Sequence, residues 1–279
     1  MAPPQLIRRM TRVIEFLYAH LDDDLSLDRV AEVAHVSTCH FHRLYRALTG
    51  ETLAETVRRL RFHRSARELL DADRPLGQVA RRAGYGSPEA FSRAFKRHFG
   101  IPPGAYRALR QSWAAPTLHL NPEPFDMDDI RIDTLPALDL VGIRHRGDYM
   151  GIGQAFDRLC LWAGPKGMLG PHVRLLGAYW DDPAVVARSD LRSAACLGAP
   201  TDAAEGEVMP LRMAAGPYAC LIHVGPYAEL EAAYQRVFAW IAREGHELAE
   251  APCFEEYLND PASTPPLALR TRIMVPLLG

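Results

Sequence analysis

Between residues 130 and 277 the chain repeats itself at a constant offset of 78. His145, Gly147 and Tyr149 recur as His223, Gly225 and Tyr227, and Phe156 and Trp162 recur as Tyr234 and Trp240. Tyr179, Asp182 and Pro183 return as Tyr257, Asp260 and Pro261, and Leu191-Arg192 as Leu269-Arg270. A register without slips defines two copies, 130–199 and 208–277, that must fold alike. Within the first copy the alternation of Val141, Ile143 and His145 suits a strand. Ile152, Ala155, Phe156, Leu159 and Trp162 then follow helical spacing, matched by Leu230, Ala233, Tyr234, Val237 and Trp240. Two further short strands close each copy. Two strand-helix-strand-strand repeats make an α+β domain with pseudo-twofold symmetry, and the cleft between such halves is a natural ligand site.

One position breaks the symmetry with a charge. Gly177 aligns with Glu255. Alternation along 254–258 puts Glu255 and Tyr257 on one face and Phe254, Glu256 and Leu258 on the other, so an acid points inward if either face is covered. A carboxylate among aromatic rings suits an organic cation, through charge and cation–π attraction. An ion pair between Glu255 and Arg270 or Arg272 on the next strand explains it equally well. Trp162 and Trp240, at helical spacing, read first as core.

The first 112 residues are different material. They carry 19 Lys/Arg against 12 Asp/Glu, a net of +7, while residues 113–279 carry 13 against 22, a net of −9; the two give the chain's −2. Such a split predicts that the first part meets a polyanion. Pro116, Pro122 and Pro124 with Glu123, Asp126, Asp128 and Asp129 mark residues 113–129 as a linker. The expected domains are therefore 1–112, which meets the polyanion, and 130–279. Five cysteines without a C-x-x-C pair argue against a disulfide framework or structural zinc. No run reaches the ~20 apolar residues of a membrane span, and MAPPQLIRRM lacks a secretory signal's apolar run. A cytoplasmic protein without cofactor or metal is expected.

The basic part also contains a motif twice. Leu27, Val30, Ala31 and Ala34 lead through His35-Val36-Ser37 to Phe41, Leu44, Tyr45 and Leu48, ending at Gly50. Leu76, Val79, Ala80 and Ala83 lead through Gly84–Ser87 to Phe91, Ala94, Phe95 and Phe99, ending at Gly100. Ser37 and Ser87 sit at N-caps, Pro88 at a first helical position, and the glycines at C-terminal stops. These are two all-α helix-turn-helix units, joined by a long helix from Leu53 to Leu70. With the apolar stripes buried, Cys39, His42, Arg43 and Arg46 face outward in one unit and Glu89, Ser92, Arg93 and Lys96 in the other. Arg43 and Arg93 suit guanine edges in a major groove; Arg46, Lys96 and Arg97 suit phosphates. Two such helices entering one face of a duplex lie about one turn, roughly 34 Å, apart.

The stretches SLDRVAEVAHVSTCHFHRLYRALTG and GYGSPEAFSRAFKRHFGIPPGAYR resemble the DNA-binding domain of the AraC/XylS regulators, over about residues 6–110. The resemblance implies second helices in successive major grooves and supports the contact role of Arg43 and Arg93. His35 departs from the glycine common in that turn, and Cys39 from a larger reading side chain, which leaves the target sequence open. GPYAELEAAYQRVFAWI with PCFEEYLNDP resembles the GyrI-like (SHS2-type) small-molecule-binding domain of multidrug-sensing regulators, over about 130–278. That likeness makes Glu255 the pocket glutamate and Tyr149, Tyr179, Tyr227 and Tyr257 its walls, with Trp180, on the opposite parity from Tyr179, the weakest member.

The expected protein is a ligand-responsive transcription regulator with its reader first, as in the Rob-like branch. It would bind double-stranded promoter DNA as a monomer or weak dimer and sense a lipophilic cation. The effector would act through RNA polymerase contact or interdomain geometry. The alternatives are a hydrolase, since some GyrI-like relatives cleave reactive small molecules, and a toxin-sequestering module. No Ser-His-Asp or metal-ligand arrangement favours the enzyme.

Overall fold

The computed structural model describes residues 4–49, 51–69, 74–111, 129–170, 172–261 and 264–279. The stop expected at Gly50, the helix end at Leu70 and the linker at 113–129, apart from Asp129, lie outside the described residues. The chain forms two compact units, and each has its own interior.

The first is helical: α1 Pro4–Ala19, α2 Leu27–Val33, α3 Thr38–Thr49, α4 Leu53–Leu69, α5 Leu76–Arg82, α6 Pro88–Phe99 and α7 Pro103–Gln111. Ser26 caps α2 by accepting the Arg29 N–H, and Ser87 caps α6 by accepting the Ala90 N–H with Pro88 in the first turn. Ser37 accepts the His40 N–H at 3.5 Å, a weaker cap for α3. Gly100 ends α6 in the left-handed conformation. The turn between α2 and α3 needs the same conformation at His35 (φ 53°), where the second unit has Gly84 (φ 85°).

Two apolar clusters fill this unit. Val13 and Leu17 of α1, Val30 of α2 and Phe41 and Tyr45 of α3 meet Leu53, Val57 and Leu60 of α4. Phe62, Ala66 and Leu69 of the same helix meet Val79, Phe91, Phe95, Phe99 and Tyr106. Helix α4 thus gives its first half to one core and its second half to the other. Truncating a fully buried ring such as Phe95 to alanine costs about 3–5 kcal/mol.

The second unit is built on one antiparallel sheet. Its elements are β1 Arg131–Leu135, β2 Leu138–Arg146, α8 Gly153–Ala163 as far as Leu159, β3 Leu175–Tyr179, β4 Arg192–Gly198, β5 Met209–Met213, β6 Gly216–Val224, α9 Leu230–Glu244, β7 Cys253–Tyr257 and β8 Arg270–Pro276. The strand order β1-β6-β8-β7-β3-β4-β2-β5 reads the same from either end once equivalent strands of the two copies are exchanged. Each copy holds the expected strand, helix and two strands, and one more short strand ahead of them. That leading strand pairs with the other copy: β1 with β6, and β5 with β2. The copies hold each other by exchanged edges, which single-copy periodicity does not reveal.

The pseudo-twofold axis passes between β3 and β7, where Gly177 and Glu255 are register partners. On one face α9 packs Leu230, Ala233, Val237 and Ile241 against Ala219, Leu221, Ile273 and Val275. On the other, Leu176, Ala178, Ala194, Cys196, Phe254 and Met274 join a second apolar cluster. Because both faces are covered, β4 is buried continuously from Ser193 to Leu197 rather than at alternate positions. Both acids of β7 are buried for the same reason: Glu256, on the face opposite Glu255, accepts the Arg174 Nε–H at 2.5 Å. Among the described residues no helix is long and apolar enough to cross a membrane.

Candidate functional site

In the helical unit the second helix of each repeated pair presents its polar stripe outward. Cys39, His42, Arg43 and Arg46 on α3 are exposed, as are Glu89, Arg93, Lys96 and Arg97 on α6. Phe41, Tyr45, Phe91 and Phe95 lie on the buried sides of the same helices, so core packing fixes which side chains project. Arg43 donates to Cys39 Sγ at 3.0 Å, one turn back, which holds the guanidinium against its own helix. Ser92 is half-buried and its hydroxyl donates to Pro88 O at 2.7 Å, leaving lone pairs but no free proton. Among the described residues no group of three His, Cys, Asp or Glu is placed to hold a metal ion.

In the sheet unit, β7 puts Glu255 on the axis at 4% exposure. Directly across on β3, Gly177 has no side chain, and the ring of Tyr179 occupies that space: a Cβ on Gly177 would fall 2.6 Å from the Tyr179 hydroxyl and ring edge. This close approach brings Tyr179 Oη within 2.7 Å of Tyr257 Oη. Tyr257 in turn donates to Glu255 Oε2 at 3.0 Å. With one proton per hydroxyl, the chain runs from Tyr179 to Tyr257 to the carboxylate.

Further rings close around this pair. Tyr149 meets Tyr179 edge-on at 4.8 Å, Tyr227 meets Tyr257 at 5.3 Å, and Phe156 of α8 meets Tyr257 at 5.3 Å. Tyr149 is pinned by its hydroxyl, which donates to Asp181 O at 2.8 Å and accepts the Asp181 N–H at 3.0 Å. Tyr234 of α9 buries its hydroxyl near the carboxylate, close enough to favour its charge but outside hydrogen-bonding geometry. Tyr234 also stacks on the exposed Phe238.

The structure thus gathers Glu255, Tyr257, Tyr149, Tyr179 and Tyr227. Trp180 follows the end of β3 on the opposite parity and is 38% exposed. Phe156 and Tyr234 join the group although their helical spacing reads as core; their shared offset of 78 was the available signal. The alternative partners of Glu255 are engaged elsewhere or point away. Arg272 donates to Asp133 Oδ2 at 2.5 Å from the other face of β8, and Arg270 is exposed.

Among the described residues no Lys, Arg or His pairs with Glu255, so its charge is supported by hydroxyl dipoles alone. Burial pushes its pKa up to about 7, against the smaller opposing pull of Tyr257, Tyr179 and Tyr234. The tyrosines respond in kind: burial lifts Tyr149 to about 12, and burial plus the nearby carboxylate holds Tyr179 and Tyr257 well above the ordinary phenol range. All remain neutral donors at physiological pH. The arrangement is a desolvated acid walled by rings, able to accept a proton or a cation.

Residues 128–278 match the family model of the GyrI-like small molecule binding domain, and residues 30–109 match that of a helix-turn-helix domain. Regulatory protein SoxS of Salmonella typhimurium is 36% identical over 107 residues, 38% of this chain and 97% of that protein. The right origin-binding protein of Escherichia coli K12 is 34% identical over 132 residues, 46% of this chain and 45% of that one; the aligned part spans about half of that relative's length. Among solved structures, the EcmrR C-terminal domain aligns with a TM-score of 0.45 at 18% identity, over 53% of this chain and 96% of that one.

Proposed function

This chain belongs to the GyrI-like small-molecule-binding family and to the AraC-type helix-turn-helix regulators, in the Rob-like order, and from that premise we propose that it is a transcription regulator whose DNA binding answers to a lipophilic cation held at Glu255. The observation that carries the effector class is the buried carboxylate without a cationic partner. An ionised acid in that position is costly until a counter-charge arrives. A positively charged, flat or amphiphilic molecule supplies the counter-charge and stacks on the surrounding rings. Tyr149, Tyr179, Tyr227 and Tyr257 would form the walls, with Trp180 at most a peripheral contact. For regulation, the effector must interact differently with two states of the protein. The readout lies in RNA polymerase contact or in the geometry between the domains.

On the DNA side, α3 and α6 would enter successive major grooves of a promoter. Arg43 and Arg93 read bases, with Cys39, His42, Glu89 and Ser92 beside them, and Arg46, Lys96 and Arg97 meet phosphates. Two readers in one chain allow binding as a monomer. Arg93→Ala should cost about 1–3 kcal/mol on a selected site and relax preference at one base pair. Equal losses on selected and random duplexes would move Arg93 to a phosphate role.

The effector class is tested by titrating the full chain with matched pairs of amphiphilic cations and neutral isosteres. Glu255→Gln should weaken the cations by at least about tenfold, roughly 1.4 kcal/mol, and leave the isosteres nearly unchanged. Equal weakening of both would make Glu255 structural. Product formation that requires Glu255 would instead favour the hydrolase, since an acid of pKa about 7 can take a proton from water.

A further inference from the structure

Arg61, Arg64 and Glu68 lie along one side of α4 and reach polar groups on both sides of the helical unit. Arg61 donates to Leu21 O at 3.0 Å and Asp23 O at 2.7 Å, both in the loop before α2. Its guanidinium also fills the space beside Gly84, in the turn before α6, where a Cβ would come within 2.5 Å of Nη1. Arg64 pairs with Asp22 at 2.8 Å and donates to Arg82 O at 2.6 Å. Arg82, the last residue of α5, grips Asp22 with two nitrogens at 3.2 and 2.9 Å and Glu68 with a third at 2.6 Å.

Each link joins the first helix-turn-helix unit, the second, and the helix between them. The apolar interiors do not do this. Among the described residues the two clusters have no buried member in common, so apolar packing there ties each unit to its own half of α4. Helix α4 and this polar network link one unit to the other among the described residues. An exposed ion pair adds little to stability, and the Asp22 side chain is 52% exposed. A bidentate, planar guanidinium contact does, however, fix direction. Arg82 makes one such contact, to the exposed Asp22, and its third nitrogen is tied at the same time to Glu68, which is 6% exposed.

We propose that Asp22, Arg61, Arg64, Glu68 and Arg82 form a clamp that sets the separation and helical phase of α3 and α6, and thereby the spacing between half-sites that the chain accepts. They are positioning residues, acting through the reading helices, and the proposal rests on the two-reader interpretation above. A duplex groove turns by roughly 34° per base pair, from about 10.5 base pairs per turn. A reader held rigidly should therefore reject a spacer changed by a single pair, and a loosened one should not.

The test uses the full chain and duplexes carrying a selected two-part site, with spacers lengthened or shortened by a base pair, beside duplexes with one half-site alone. The unaltered chain should favour one spacer by about tenfold. Asp22→Ala, on the first unit, and Arg82→Gln, on the second, should each reduce that preference to about two- or threefold, with half-site affinity nearly unchanged. An undiminished spacer preference in both variants overturns the clamp. So does an equal loss on half-sites and full sites, because the residues would then hold one unit's fold or touch DNA themselves. Should Asp22→Ala fail to fold, Arg82→Gln alone decides between these outcomes. If the unaltered chain shows no spacer preference, the two-reader interpretation fails first and the clamp with it.

Discussion

The two copies of the sheet unit share a scaffold and part company where the chemistry lies. Beside the axis they keep the same tyrosines: Tyr149 answers Tyr227 and Tyr179 answers Tyr257, so each copy holds its own edge-on pair, Tyr149 with Tyr179 and Tyr227 with Tyr257. On the axis they cannot. Gly177 and Glu255 face each other across β3 and β7, so a residue repeated there becomes its own neighbour. Two glutamates would confront like charges in a buried place, and two glycines would leave no acid. A twofold scaffold that needs one charge at its centre must break its symmetry there. The vacated side is then used, because Tyr179 lies in the space that Gly177 leaves.

Restoring the symmetry by Gly177→Glu should have the largest effect. Tyr179 must leave its place, the contact between the two phenols is lost, and two carboxyls share a site that holds one charge. Overpacking alone costs about 1–3 kcal/mol, and the second acid adds to it, so a loss of about 3 kcal/mol or more is expected in chemical denaturation at pH 8. Gly177→Ala, which adds the Cβ without the charge, should fall between this variant and the unaltered chain. A Gly177→Glu protein of undiminished stability would mean that the axis tolerates two acids, and the comparison would lose its physical basis.

Removing the charge from the second copy should act in the opposite direction on stability. Glu255 has a pKa of about 7 when folded against an ordinary value of 4.5. Its contribution is fully present below about pH 4.5, where it is neutral in both states, and is lost as pH rises through about 7. At about 1.36 kcal/mol per unit, the cost of ionising it in place reaches roughly 3 kcal/mol by pH 8. Glu255→Gln should therefore stabilise the ligand-free chain by about 2–3 kcal/mol at pH 8 and by little at pH 4.5. Denaturation at both pH values measures this. Equal effects at the two would show that the acid titrates near its ordinary value.

Much of this arrangement can be read from the sequence, for reasons that differ by residue. The offset of 78 exposes both copies, and parity along 254–258 places Glu255 with Tyr257 and apart from Glu256. Helical spacing alone separates Phe41 and Phe91 from Arg43 and Arg93. The exchange of β1 and β5 between copies stays hidden, because five-residue edge strands carry a local signal without a pairing address. Phe62 escapes notice since α4 serves two cores on different sides, which blurs its period. The clamp is equally silent in the sequence: Asp22 and Arg82 are 60 positions apart, and an arginine rich in partners looks the same in a sequence as one facing solvent.

The smallest change tests another difference between the copies, Phe156 on α8 against Tyr234 on α9. Tyr234→Phe gives both helices the same ring and removes one dipole that favours the ionised form of Glu255. The pKa of Glu255 should then rise further above about 7. If a cation binds at Glu255 as proposed, its affinity strengthens with pH as the free acid ionises and levels off above its pKa, so the midpoint of the affinity–pH curve should move up by about half a unit. Affinity on the plateau should change by less than about threefold. Stability should hardly fall, because the Tyr234 hydroxyl is buried without a hydrogen-bond partner and its loss removes a desolvation cost along with the favourable dipole. The reciprocal change, Phe156→Tyr, should lower the midpoint if α8 presents its ring to the carboxylate as α9 does. A midpoint that ignores both variants would leave Glu255 governed by burial and the strand tyrosines Tyr257 and Tyr179, with the helices serving only as walls.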